Sequence, residues 1–141
     1  MSHFATMMLP ANPTVVAPDG SSVRVLLPLA AGSMAHFELA AGTTAKAVTH
    51  RTVEEVWYVV SGRGEMWRRQ GLREEVVALE PGVCLTIPVG THFQFRASDM
   101  MPVAAVAVTM PPWPGDDEAV FVSGPWEPSV TSAQRPTGEK I

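Results

Sequence analysis

Cysteine is almost missing from this chain. Cys84 is the only one, so no internal disulfide can form, and a reducing cytoplasm is the simplest setting. Long apolar runs are missing as well: no stretch of about 18 or more apolar residues occurs, so nothing reads as a membrane span. The first residues, Met1 to Pro10, have no basic start and only a short apolar run, a poor signal peptide. Basic residues are few. Lys and Arg number 10 against 14 Asp and Glu, a net charge of −4, which argues against a nucleic-acid binder with its basic stripe. No segment shows sustained helical periodicity, and there are no heptads, low-complexity tracts or short repeats.

What is present is enough for one domain with a core: 141 residues, 46% of them hydrophobic. Many short β-branched and aromatic segments alternate with Gly/Pro turns. Strands are predicted at 23–27, 34–39, 45–49, 56–60, 65–69, 73–79, 83–87, 91–96 and 103–109. Glu80-Pro81-Gly82 and Pro88-Val89-Gly90 are strong turn signals. The pattern is that of an all-β sandwich or barrel. Residues 1–19 carry three prolines and read as an arm, 20–110 as the barrel, and 111–141 as a proline-rich strap and loose tail with one further strand at 119–122.

The chain is organised around His50 to Gly62. A histidine and a carboxylate, His50 and Glu55, precede the apolar strand Val56-Trp57-Tyr58-Val59-Val60, and Ser61-Gly62-Arg63-Gly64 closes it. His and Glu suit a divalent ion such as Fe, Mn, Ni or Zn. By period-2 alternation Trp57 shares the face of Glu55, as a core plug or as the wall of a pocket, and Glu54 faces solvent.

These residues resemble the cupin superfamily. His50, four residues, Glu55, six residues and Gly62 match its first motif, with Gly42 at the leading glycine. Gly82, five residues and Pro88-Val89-Gly90, followed by His92, match its second. The resemblance implies a double-stranded β-helix, a jelly-roll barrel with both motifs facing inward at one end. It also implies a divalent transition metal, which His50, Glu55 and His92 would hold, and a substrate pocket that includes Val48, Trp57, Gln94 and Arg96.

Three positions depart from the pattern. Val48 stands where the first motif has its first histidine, the second motif is one residue short before His92, and Arg96 stands where the family often has Asn. Two settings of the 91–96 strand follow. With His92 inward, Gln94 and Arg96 also face the interior, and Phe93 and Phe95 pack outward. With no deletion, Phe93 takes the ligand position and His92 points away. The first setting fits the rest of the polar cluster and is preferred. Cys84 reads as a small buried hydrophobe and His36 as structural.

Two functions compete. One is a metal-dependent enzyme of dioxygenase, isomerase or lyase type acting on a small polar molecule, with Gln94 and Arg96 orienting it. The other is a non-catalytic module for a sugar or other small ligand, with Val48 marking a degraded metal site. Either way the expected partners are a small molecule and a second copy of the chain. Phe4, Met7, Met8, Leu9, Trp113, Phe121 and Trp126 are apolar residues outside the motif strands, and they suggest a homodimer with the strap laid across its neighbour.

Overall fold

The computed structural model describes residues 3–130, so the last eleven positions of the expected tail lie outside the described residues. Among the described residues eleven strands form two antiparallel sheets. The first has six strands in the order β1 (Val15–Val16), β2 (Ser22–Pro28), β3 (Ser33–Leu39), β10 (Val103–Met110), β5 (Glu54–Gly62) and β8 (Cys84–Ile87). The second has five, in the order β11 (Ala119–Phe121), β4 (Val48–His50), β9 (His92–Ala97), β6 (Gly64–Gln70) and β7 (Arg73–Leu79). Every strand predicted from the sequence is present. β1 is an addition, and β4 is shorter than expected.

The core lies between the two sheets. Alternation puts Glu55, Trp57 and Val59 of β5 inside and leaves Glu54, Val56, Tyr58 and Val60 exposed. Met66, Leu79, Leu85, Ile87, Phe93 and Phe95 meet them in one buried cluster. Trp57 is its centre: it stacks on Phe37 with ring centroids 5.2 Å apart and receives Phe95 edge-on at 5.0 Å. The glycine that ends β5 is required. Gly62 has φ +83°, and a Cβ there would collide with the Pro102 carbonyl.

The outer face of the six-stranded sheet is apolar along β5 and β10, and polar at Arg24, His36 and Glu38 of β2 and β3. Val56 and Tyr58 sit across from Val108 and Val106 of β10, and Val60 continues the row. Cys84 belongs to this face. It is exposed, not buried as expected, because Leu85 and Ile87 take the inward positions of β8.

The arm and the strap are both tied to the barrel over the described residues. The arm is tied down where it nears the barrel. Arg24 donates to the carbonyls of Pro10 (2.8 Å) and Ala11 (3.2 Å), and Val15–Val16 pairs with β2, while Phe4 and Met8 stand exposed. Over the described residues the C-terminal strap folds back on its own barrel. β11 pairs with β4, Trp126 lies over Arg96, and Ser129 and Val130 bond to Thr44. Trp126 covers Arg96 on the outer surface of the five-stranded sheet, while Trp113 turns inward to His50 and Ala119 and Val130 pack against the core.

Candidate functional site

β5 delivers two site residues at a spacing of two. Glu55 is 3% exposed, and its Oε1 accepts a 2.6 Å hydrogen bond from the Trp57 indole N–H. Burial pushes the Glu55 carboxyl up to about 7; the Trp57 bond opposes this and the nearby charge of Asp19 adds to it. β4 delivers His50, also buried. Its imidazole is held edge-on between Phe93 (5.2 Å) and Trp113 (5.1 Å). Its Nδ1 lies 3.7 Å from Glu55 Oε2 and has no hydrogen-bond partner. Burial pulls the imidazole down to about 4, against a smaller upward pull from Glu118, so His50 is neutral at pH 7.

Glu118 fixes the loop between these strands. Its carboxylate accepts bonds from the Thr52 N–H (2.5 Å), the Thr52 hydroxyl (2.7 Å) and the Val53 N–H (2.7 Å). Burial works against its charge, but these bonds and the nearby His50 outweigh it and hold the carboxyl below its ordinary range. In sequence Glu118 ends an acidic run, Asp116-Asp117-Glu118, and reads as solvated. The only signal that singles it out is the short apolar strand that follows.

Glu55 and Trp57 open onto a cavity of about 550 Å³. Its walls are mostly apolar, from Val23 and Val25 of β2, Phe37 of β3, Phe93 of β9 and Trp113 of the strap. Val15 to Asp19 form its near edge, which gives the inner arm a role that the sequence did not suggest. Asp19 is a second buried carboxyl there, and Ser21 donates to it from N–H (2.9 Å) and hydroxyl (2.6 Å). Burial raises its pKa in spite of those bonds and the charge of Lys46.

The remaining predicted site residues are elsewhere. β9 takes the setting without a deletion: Phe93 and Phe95 face the interior and His92 faces away, its Nδ1 3.4 Å from an Arg69 nitrogen. Gln94 and Arg96 share that outer face, where the strap covers them. Gln94 Nε2 donates to the carbonyls of Ala45 (2.8 Å) and Trp126 (2.9 Å), and its Oε1 accepts from the Trp126 N–H (3.2 Å). Arg96 bonds Glu65 and lies 4.0 Å from the centre of the Trp126 ring. Val48 is packed in the core, its Cα opposite Phe93. The preference for His92, Gln94 and Arg96 as inward residues is therefore corrected. Two aromatic rings carry more hydrophobic free energy into the barrel than a polar trio could, and the strap supplies partners for the polar side chains outside.

This donor set does not fit a metal centre of three or four ligands. Of the expected trio only His50 and Glu55 meet, and Val48 and Phe93 hold hydrocarbon where the family motifs carry imidazoles. Among the described residues no three His, Cys, Asp or Glu side chains converge on a point that could hold an ion.

Two antiparallel sheets closing on an interior cavity make this a double-stranded β-helix protein. The cupin domain profile matches residues 35–109, more than half the chain, and the chain belongs to that family. Solved structures agree on the fold. A cupin protein from Bacteroides fragilis is 19% identical over 79% of this chain and 86% of its own, with a TM-score of 0.62. KdgF from Halomonas sp. is 19% identical over 71% and 87%, with a TM-score of 0.60. Pac13 of Streptomyces, a nucleoside dehydratase, was solved with uridine; it is 15% identical over 86% and 92%, with a TM-score of 0.64. No curated protein matches the sequence.

Proposed function

We propose that this cupin binds a small molecule in the barrel cavity and moves a proton to or from it through Glu55, in a reaction of dehydratase, lyase or isomerase type. The observation that carries the reading is the Glu55 carboxyl itself, buried in the wall of a largely apolar cavity and held in place by Trp57. A carboxyl there is costly unless it has work to do, and its pKa near neutrality suits an acid and a base in turn. Trp57 fixes one oxygen. Neutral His50 stands beside the other, with a free ring nitrogen to steady a proton in transit. Phe37, Trp57 and Phe93 wall the site in hydrocarbon and strengthen every polar contact inside it. A nucleoside dehydratase of the same fold gives the reaction class a precedent.

A second reading, a non-catalytic ligand-binding cupin, is favoured by Val48 and Phe93, which replace the two missing ligands with hydrocarbon. One experiment separates the two. Ligand-observed NMR on the full chain against nucleosides, uronic acids, small cyclic alcohols and small amines finds binders, and each binder is then incubated in D₂O. The catalytic reading expects water loss or deuterium uptake in a bound compound, abolished by Glu55→Gln while binding persists. A binder left unchanged by the wild type gives the second reading. Absence of any binder sinks both.

The same proposal includes a cytoplasmic setting, supported by the lone Cys84, and a homodimer. The exposed Phe4 and Met8 of the arm and the exposed Val56, Tyr58 and Val60 of β5 support the dimer.

A further inference from the structure

The cavity wall is acidic and aromatic. Asp19, Glu55 and Asp116 line it, and among the described residues no Lys, Arg or His side chain does. The nearby Lys46 has its ammonium over the Phe121 ring, 5.0 Å from the centroid. Phe37, Trp57, Phe93 and Trp113 supply four rings to the same wall. The hydroxyls of Ser33 and Thr109 are bonded to each other at 2.6 Å, and one Asp19 oxygen is taken by Ser21, so the wall has few free polar groups besides Glu55. Behind Glu55, the buried Nδ1 of His50 has no partner, and its 3.7 Å from Glu55 Oε2 is too long for a hydrogen bond.

Resting on the cavity reading above, we propose that the ligand is a compact apolar amine whose ammonium group is received at Glu55 inside the aromatic wall. An anion would enter against carboxyl groups, with the nearby Lys46 already acting on Asp19 and none beside Glu55 to offset it, at a large desolvation cost. A sugar would leave most of its hydroxyls facing hydrocarbon. An ammonium meets a carboxylate and the faces of aromatic rings, which attract cations most strongly when desolvated. Its apolar body covers Val23, Val25 and Phe37.

A matched series tests this on the full chain: 2-phenylethylamine, 2-phenylethanol and phenylacetate, titrated by calorimetry and by shifts of the indole N–H signals. The amine is expected to bind about tenfold or more tightly than the alcohol, and phenylacetate not to bind, a difference of one fully desolvated charge pair. Glu55→Gln is expected to weaken the amine about tenfold and to leave the alcohol within a factor of about two. The wild-type ranking decides the matter even where the variant does not fold. Alcohol or phenylacetate binding as tightly as the amine overturns the proposal and leaves the cavity reading standing. An amine affinity untouched by Glu55→Gln also overturns it. If none of the three binds, the amine proposal falls, and the cavity reading is decided by the wider panel above.

Discussion

The Phe93 ring meets the imidazole of His50 edge-on, with centroids 5.2 Å apart and planes at 84°. A phenyl ring thus occupies the place where the second cupin motif sets a histidine. Protein purified without chelators or a His-tag is therefore expected to hold no stoichiometric Fe, Mn, Ni or Zn by elemental analysis, and His92→Ala should change nothing. Val48→His with Phe93→His puts two imidazoles beside His50 and Glu55, and this variant is expected to gain a metal. Stoichiometric metal in the wild type, lost in His92→Ala, would refute the outward placement of His92.

The same pocket predicts an unusual pH response. Glu55 is raised from 4.5 to about 7, so the folded chain keeps a proton that the unfolded chain releases, and stability falls as pH rises across that window. His50 is lowered from 6.5 to about 4, so the unfolded chain takes a proton that the folded chain refuses, and stability rises as pH climbs from 4 to 6.5. Each effect is on the order of 3 kcal/mol, and between pH 4.5 and 6.5 they oppose one another. Relative to wild type, Glu55→Gln should gain stability from pH 4.5 to 7, and His50→Gln should lose it from pH 4 to 6.5. Urea melts at half-unit pH steps measure this. Parallel wild-type and variant curves would show that neither group is shifted.

Gln94 pins the strap. Gln94→Ala removes the partners of the Ala45 carbonyl and of both Trp126 backbone groups, and is expected to cost about 2–4 kcal/mol. Gly124 lies over the same amide. A Cβ there would collide with Gln94 Oε1 and stand 2.7 Å from the Ala47 Cβ, so Gly124→Ala should cost about 1–3 kcal/mol. Limited proteolysis should cut both variants after Val122 faster than wild type. Wild-type cleavage rates would rule out the pinning role.

The arm predicts an assembly. Light scattering with in-line size exclusion is expected to give twice 15.1 kDa, and removal of residues 2–9 to give the monomer with its fold intact by circular dichroism. The cut leaves Pro10 and Ala11 on Arg24 and keeps the cavity edge at 15–19. A wild-type mass near 15.1 kDa at micromolar concentration would end the dimer proposal.

The sequence by itself determined the strands, the turns and the family. Alternation from Glu54 to Val60 is local, and so are the glycine and proline signals that bound each strand, so each could be read without knowing its neighbours. The pairing of His50 with Glu55 was legible for the same reason, since both flank one loop. The direction of β9 was not. His92 inward and Phe93 inward obey the same period of two, and choosing between them requires knowing what covers the far side of the strand. The cover is the strap, which returns from thirty or more residues away to bond Gln94 and stack on Arg96. Once polar partners exist outside, burying Phe93 and Phe95 wins on hydrophobic grounds. The same long-range return made Glu118 the anchor of the His50 loop, a role that only the tertiary structure decided, because its hydrogen-bond partners Thr52 and Val53 belong to a distant part of the chain.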